Sequence, residues 1–369
     1  MLNEDKATRY QRLKRRSSVL GTAVQVVSLV LLLISGGSVL LRDAAMALAG
    51  RHFIPAVAVY VVMLAVLLDL IQLPWAFHAG VTLERRYGLS TETTAKWWMN
   101  HLKAAAIGLV FSIGAALIVL SLVKWSPDRW WVSAAITFTL ILVLLAQLAP
   151  VVLLPLFYEV KPLARDLLRE RLLTLADRAG ARVLGVFEWR LSDRTKKANA
   201  ALAGIGRTRR ILISDTLLAD HSDDEIEVIL AHELAHHVHH DIWSGVLLEA
   251  VLIALGFYLA NTALTRLGAW AGLEGKADMA GLPLLVLAAG AVSVTLLPIA
   301  NAVSRAHERR ADRYALDLTR NPSAFISAMK RLAAQNLAEE NPSRLVRVLF
   351  STHPSTSARI EAARQWSPG

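Results

Sequence analysis

The chain has 369 residues and no cysteine. Disulfides, thiolate metal sites and cysteine nucleophiles are therefore excluded, and any bound metal must rely on nitrogen and oxygen donors. Charge is also scarce. Asp, Glu, Lys and Arg make up 19% of the residues, against about 25% in an ordinary soluble domain. There is no internal repeat and no low-complexity tract. No nucleic-acid-binding motif accompanies the net charge of +10. The space is taken by apolar residues, 54% of the chain, and the mean hydropathy is positive.

Six runs carry most of that apolar content: 19–41, 53–73, 104–123, 130–157, 243–264 and 282–303. Each reaches the ~20 residues that a helix needs to cross a bilayer. The first is too long, and lacks a clear small-residue cleavage site, for a removed signal peptide, so it is expected to be retained. Trp125, Trp130, Trp131 and Trp243 stand near run ends, as in an interfacial aromatic belt. Asp69 and Glu249 interrupt two of the runs. Such charges face a protein interior or a wet cavity; Glu249 alternatively sits close to the interface.

The positive charge is asymmetric. Lys6, Arg9, Arg12, Lys14, Arg15 and Arg16 precede the first run, and Arg85, Arg86, Lys96 and Lys103 lie between the second and third. The segment after the fourth run and the tail after the sixth are rich in arginine, whereas loops 42–52, 124–129 and 265–281 hold two basic residues each. With six spans, every basic segment falls on one side, and the positive-inside rule makes that side cytoplasmic. The basic charge is thus a topology signal that also favours anionic membrane lipid, with no nucleic-acid partner.

On the same side lies His232-Glu233-Leu234-Ala235-His236. On a helix, a spacing of four puts both imidazoles on one face, one turn apart, where they can hold one Zn²⁺. Glu233 then stands beside the ion as the base for a zinc-bound water. Ser222 and Glu225 form an S-x-x-E capping box ahead of the motif, and Ile226, Ile229, Leu230, Leu234 and Val238 follow at helical spacing. The alternative is a polar helix face that merely contains histidines. His237, His239 and His240 extend the cluster at angles away from the His232/His236 face and are expected to be solvated or interfacial. Asp241 is either support for a ligand or an ordinary polar residue at a helix end.

Two histidines leave zinc one protein ligand short of the usual three. Glu308 is the best candidate for the third. Asp312 is four residues on, on the same face, where it can accept the free N–H of a ligand histidine. On spacing alone, a solvated helix is an equal reading, because Arg305, Arg309, Arg310 and Arg313 offer ion-pair partners. The presence of the first motif favours the ligand reading.

The expected fold is mostly α-helical and polytopic, with about six transmembrane helices and a small zincin-like α/β catalytic part. It divides into a membrane region of four spans (1–157), an α/β insert carrying the metal helix (158–241), a membrane hairpin (242–303) and a C-terminal segment with the third ligand (304–369). In the insert, a helix is expected over 162–180. Strands are expected over 185–192, 198–203 and 210–214, with a turn at 204–209. The edge of such a sheet can pair with an extended substrate. The hairpin returns Glu308 to the side of His232 and His236, and Pro298 suggests a kink in its second arm.

Several motifs in order resemble the membrane-integrated zinc metalloproteases that include the type-1 CAAX prenyl protease and bacterial HtpX. They are E-R-R-Y-G-L-S at 84–90, P-L-F at 155–157, Asn199-Ala200 and R-I-L-I-S-D-T-L at 210–217. HELAHHVHHD at 232–241, S-R-x-x-E-x-x-A-D at 304–312, His353-Pro354 and Arg359-Ile360 complete the set. The E-R-R-Y-G-L-S element is closer to the CAAX protease branch. The resemblance implies a zinc endopeptidase whose site faces a chamber formed by the spans. In it His232, His236 and Glu308 bind one zinc, Glu233 is the base and Asp312 supports a ligand. Asn199 and Ala200 lie at the substrate-binding edge strand, and His353 polarises or positions the scissile carbonyl. Without that pattern, His353 reads as a structural loop residue.

The expected activity is hydrolysis of peptide bonds at the membrane–cytoplasm boundary, in lipidated or membrane-protein substrates. The alternatives are a zinc-binding membrane transporter or sensor, suggested by the five histidines within 232–240, and a catalytically silent scaffold of the same fold. Arginine outnumbers lysine, and alanine and leucine abound, which points to a bacterial cytoplasmic membrane with both termini and the catalytic segments inside.

Overall fold

The N-terminal helix begins well ahead of the apolar run that announces it. In a computed structural model, which describes residues 5–50, 52–148, 152–204 and 209–368, α1 spans Lys6–Ile34. Asp5 caps it by accepting from the Thr8 amide at 2.8 Å. The run 19–41 is not one span. It stops at Ile34, turns through Gly36 at φ +73°, a value glycine adopts without strain, and restarts as α2, Gly37–Leu48. That second helix also fills most of the expected loop 42–52.

The next span, α3, covers Phe53–Phe77 and runs on through a π-helical turn, His78–Leu83, to Arg86. α4 (Thr94–Trp125) and α5 (Trp130–Leu148) follow. The expected fourth run extends to residue 157. Its residues 149–151 lie outside the described residues, and a short helix, Leu154–Phe157, closes it.

The insert starts with a strand that the sequence does not announce, ending at Pro162, the first residue of the expected helix 162–180. β1 is Val160–Pro162, and the helix behind it, α6, covers only Asp166–Arg178. β2 (Val186–Trp189), β3 (Ala200–Ala203) and β4 (Arg210–Ser214) fall within the expected strands. Residues 205–208 of the expected turn lie outside the described residues. The strand order is β1-β2-β4-β3. β2 and β4 are parallel and the other pairs antiparallel, which leaves β3 on an edge. A short helix, α7 (Asp215–Asp220), leads into the metal-motif helix α8, Asp223–Val238.

α9 (Asp241–Leu267) and α10 (Leu282–Thr319) form the hairpin, with Pro298 inside α10. α11 (Pro322–Asn336), α12 (Arg344–Phe350) and α13 (Thr356–Gln365) complete the chain. Among the described residues, six helices are long and apolar enough to cross a membrane. They enclose two apolar cores. In one, Trp130 is wholly buried between α4, α5, α9 and α10. Its indole N–H donates to Asn261 Oδ1 at 2.9 Å, which satisfies the one polar atom that burial would otherwise strand.

The insert and the C-terminal segment share a single core. Leu172 and Leu175 of α6, Ile211 and Ile213 of β4, Leu230 and Leu234 of α8, Leu316 of α10 and Phe325 of α11 pack together. α10 therefore does two jobs. Its first half is membrane hairpin, and its second half is a wall of the core shared by the insert and the C-terminal segment.

The basic segments gather at this end of the molecule. Lys197 Nζ lies 2.9 Å from Glu84 Oε2, Arg15 Nη1 2.6 Å from Glu339 Oε2, and Lys96 Nζ 3.0 Å from Asp193 Oδ2. In another cluster the loop before α10 meets α2, where Arg42 pairs with Asp278 at 2.6 Å.

Candidate metal centre

α8 is held at its start by the capping box that its sequence announces. Ser222 Oγ accepts from the Glu225 amide at 3.3 Å, and Glu225 Oε2 accepts from the Ser222 amide at 2.9 Å. Asp223, Asp224 and Glu225 lie against the positive end of the helix dipole. Ile226, Leu230 and Leu234 are buried in the shared core, which fixes the rotation of the helix. His232 and His236 then lie one turn apart, with ring centroids separated by 5.0 Å.

Glu308 reaches them from α10. Its Oε2 is 3.2 Å from His232 Nε2, and its Oε1 is 3.5 Å from His236 Nε2. One donor atom from each of the three residues lies within 4.8 Å of the others. The remaining imidazole nitrogens are taken by carboxylates. His232 Nδ1 is 2.9 Å from Asp312 Oδ1, and His236 Nδ1 is 2.8 Å from Asp241 Oδ2. Each carboxylate fixes a tautomer with the proton on Nδ1, so both Nε2 lone pairs face Glu308.

That arrangement suits a metal ion better than a hydrogen-bond network. Glu308 Oε2 is buried and makes no hydrogen bond, although His232 Nε2 is close by. An orphaned buried carboxylate oxygen is costly. A cation shared with two imidazoles removes that cost, so the residues fit the group. In the ion-free chain the cost is met by protons. Burial disfavours a charged His232, but the Asp312 and Glu308 carboxylates outweigh it and raise its pKa to about 9. His236 is raised against burial in the same way, by Glu308 and Asp241.

Glu233 turns the other way from the helix core and lines a cavity of about 150 Å³ with Asn199, Ala200, His232, His353 and Arg359. Burial raises its pKa, against the pull of the two histidines. His353 sits on the segment between α12 and α13, with Nε2 3.3 Å from Glu308 Oε1 and Nδ1 2.8 Å from Thr352 Oγ1. Burial holds its pKa down. Asn199 precedes β3 and pairs through its carbonyl with the Ser214 amide at 3.0 Å. Of the expected site residues, Asn199, Ala200, His232, Glu233 and His353 line this cavity, and Glu308 contacts His232, His236 and His353 beside it.

The other histidines lie apart from the donor set. His239 Nδ1 is 2.8 Å from the Ala235 carbonyl and His240 Nδ1 3.1 Å from that of His237, local contacts at the end of α8. His237 borders a separate small cavity with Arg209 and Trp243.

Two residues near the site have no role in the sequence reading. Arg359 of α13 grips Asp312 with Nε at 2.8 Å and with Nη2, whose second contact is His232 Nδ1 at 3.4 Å. Asn336, the last residue of α11, binds the backbone next to Asn199. On an amphipathic helix, an arginine or asparagine reads as a solvated residue. The one available signal was the Arg359-Ile360 pair behind His353-Pro354.

Comparison with known proteins bears on the whole chain. Residues 162–367 match the model of peptidase family M48, and residues 3–159 match that of the CAAX prenyl protease N-terminal region, five membrane helices. The metalloprotease YhfN of Bacillus subtilis is 30% identical over 97% of this chain and 85% of its own length. The chain belongs to peptidase family M48. CAAX prenyl protease 1 of Saccharomyces cerevisiae is 27% identical over 81% of the chain and 70% of its own length. The crystal structure of S. mikatae Ste24p superposes with a TM-score of 0.87 at 22% identity, over 97% of this chain and 88% of that one. The M48 protein described here is therefore a multi-pass integral membrane metalloprotease with a Ste24p-like fold. The M48 match runs through the membrane hairpin, in keeping with a core built from both sides of it.

Proposed function

We propose that the protein is a zinc endopeptidase that cleaves peptide bonds at the membrane–cytoplasm boundary. The observation that carries this reading is the division of the imidazole nitrogens. Both Nδ1 atoms are held by carboxylates, and both Nε2 atoms face Glu308 beside the cavity that contains Glu233. His232, His236 and Glu308 hold the ion, and two nitrogens plus one carboxylate oxygen is a donor set that suits zinc. When bound, zinc supplies Lewis acidity to water and to the substrate carbonyl.

The chain's own residues do the rest. Glu233 accepts a proton from the attacking water as the new C–O bond forms. It delivers that proton to the departing amine as the C–N bond breaks. A carboxylate pushed up by burial is a stronger base than an exposed one, which suits this exchange. Desolvation holds the His353 pKa down, and its Nδ1 lies against Thr352 Oγ1. The His353 Nε2–H faces Glu308 Oε1 at 3.3 Å in the ion-free chain and, once Glu308 is engaged by the ion, donates to the carbonyl oxygen as negative charge develops there. Asp312 and Asp241 hold the metal-binding imidazoles in one tautomer. The edge of β3 at Ala200 aligns an extended substrate by backbone pairing.

The substrate is a peptide or protein that approaches along the bilayer. The membrane embedding and the name of the yeast relative favour lipidated peptides, with membrane proteins as the second class. The basic segments around the site favour a cytoplasmic placement.

Glu233→Gln tests the reading. The variant retains its metal and loses hydrolysis by about 10²–10⁴-fold. A metal transporter would instead show flux through liposomes that is indifferent to Glu233, and a silent scaffold would bind substrate without yielding products.

A further inference from the structure

Asn336 occupies the backbone just ahead of the edge strand, at Ala198 on the wall of the Glu233 cavity. Its Oδ1 accepts from the Ala198 amide at 3.0 Å, and its Nδ2 donates to the Ala198 carbonyl at 3.2 Å. A single side-chain amide thus does what a neighbouring strand would do. The antiparallel pairing sets which groups it meets. The Asn199 carbonyl accepts from Ser214 of β4, so Asn199 points inward. By the alternation of an antiparallel ladder, Ala198, Ala200 and Leu202 point their N–H and C=O outward. β3 is the edge strand, so the outward groups of Ala200 and Leu202 face no further strand of the sheet. Those of Ala198 are already paired.

The clamp is firmly seated. Gln335, one residue earlier, donates from Nε2 to the Lys196 carbonyl at 3.0 Å and to Asp220 Oδ2 at 2.9 Å. Leu337, one residue later, takes φ +48° and ends α11 there. Asn336 also borders two cavities. One is the cavity of Glu233, and the other is a groove of about 430 Å³ between α11 and the segment bearing His353. Both are shared with Met329, Leu332, His353 and Arg359.

We propose that Asn336 is a register stop for the substrate, a positioning residue that decides which peptide bond reaches Glu233. An extended chain can pair with Ala200 and Leu202. It cannot continue past Ala200 because the next outward pair is taken, and there it leaves the sheet edge for the groove beside α11. The proposal rests on the peptidase reading and deepens it. Register along a strand changes in steps of two residues when the same face is kept. Removing the stop therefore adds cleavage sites displaced by two residues.

The test is cleavage of casein, an unfolded protein substrate, by the full chain in detergent, with all product termini mapped by mass spectrometry. Wild-type protein, Asn336→Ala and Asn336→Ser are compared, with metal content and thermal unfolding measured on each. Both variants keep their metal and gain products displaced by two residues from wild-type sites. KM changes more than kcat. Asn336→Gln, which retains an amide, returns the pattern towards wild type. A folded, metal-loaded Asn336→Ala with the wild-type product map at lower yield overturns the proposal, as does failure of both small variants to fold, since Asn336 is then a structural clamp alone. A wild-type chain that cleaves nothing overturns the peptidase reading itself, a result distinct from either.

Discussion

Asp241 Oδ2 stands 2.8 Å from His236 Nδ1, and Asp241 is the first residue of the membrane helix α9. One imidazole of the candidate metal centre is thus oriented directly by the start of a span. The other is oriented by Asp312, on a helix that leaves the membrane from the far arm of the same hairpin. Such carboxylates fix ring orientation and raise ligand basicity. Asp241→Asn and Asp312→Asn are each expected to weaken metal binding by about 10–100-fold. Competition against a chromophoric chelator measures this; unchanged affinity in both variants contradicts it.

Proton release accompanies metal uptake. His232 has its pKa raised to about 9 in the ion-free chain, and His236 is raised too. At pH 7 His232 carries a proton that an entering ion must displace, and the upward shift of His236 works in the same direction. Titration calorimetry at pH 7 in buffers of different ionisation enthalpy is expected to give different heats, and the difference falls away as pH passes about 9. Heats that are independent of buffer at pH 7 rule this out.

Acid destabilises the start of α8. Burial works against the Glu225 carboxylate, but Ser327, the Ser222 amide and Arg331 outweigh it and lower its pKa. Arg331 Nε lies 3.2 Å from Glu225 Oε1, which ties α11 to the cap of the metal helix. A lowered folded-state pKa contributes stability above the unfolded value, and that stability is lost as pH falls through the folded value. Thermal unfolding of wild-type protein and Glu225→Gln should differ most at neutral pH and converge below about pH 4, as carboxylates protonate. A constant gap from pH 7 to pH 3 contradicts this.

Arg359 and Asp312 form a buried pair against His232. Side-chain exposure is 14% for Arg359 and 8% for Asp312. Arg359→Met leaves the buried Asp312 carboxylate with His232 as its remaining partner and is expected to cost about 1–3 kcal/mol. Adding Asp312→Asn should return part of the loss, since the double change leaves no unpaired charge. Strictly additive unfolding shifts in the double variant would show that the two side chains do not act as a pair.

The candidate donor set, which the fold brings together, was legible because it is written in local spacing. His232, Glu233 and His236 share two turns of one helix, and Glu308 and Asp312 share a face of another. An even number of spans between them requires only that both lie on one side. Arg359 and Asn336 were not legible in this way. Their partners are 47 and 138 residues away along the chain, and nothing local marks them. Asp241 stood between two readings until α9 was seen to start there. In the membrane, hydropathy located the spans but not their ends. The break at Gly36 depends on backbone conformation, and three-residue β1 is too short for any periodicity to reveal.

Metal content and turnover, measured on one purified detergent preparation, bear most directly on the three-residue centre. Wild-type protein is expected to carry one zinc per chain by elemental analysis and to hydrolyse casein. Stripping by a chelator should abolish hydrolysis, and zinc should restore it. His232→Ala, His236→Ala and Glu308→Ala should lose metal and activity together. A metal-free preparation that cleaves at the wild-type rate, or a Glu308→Ala variant that keeps both metal and rate, would contradict that centre.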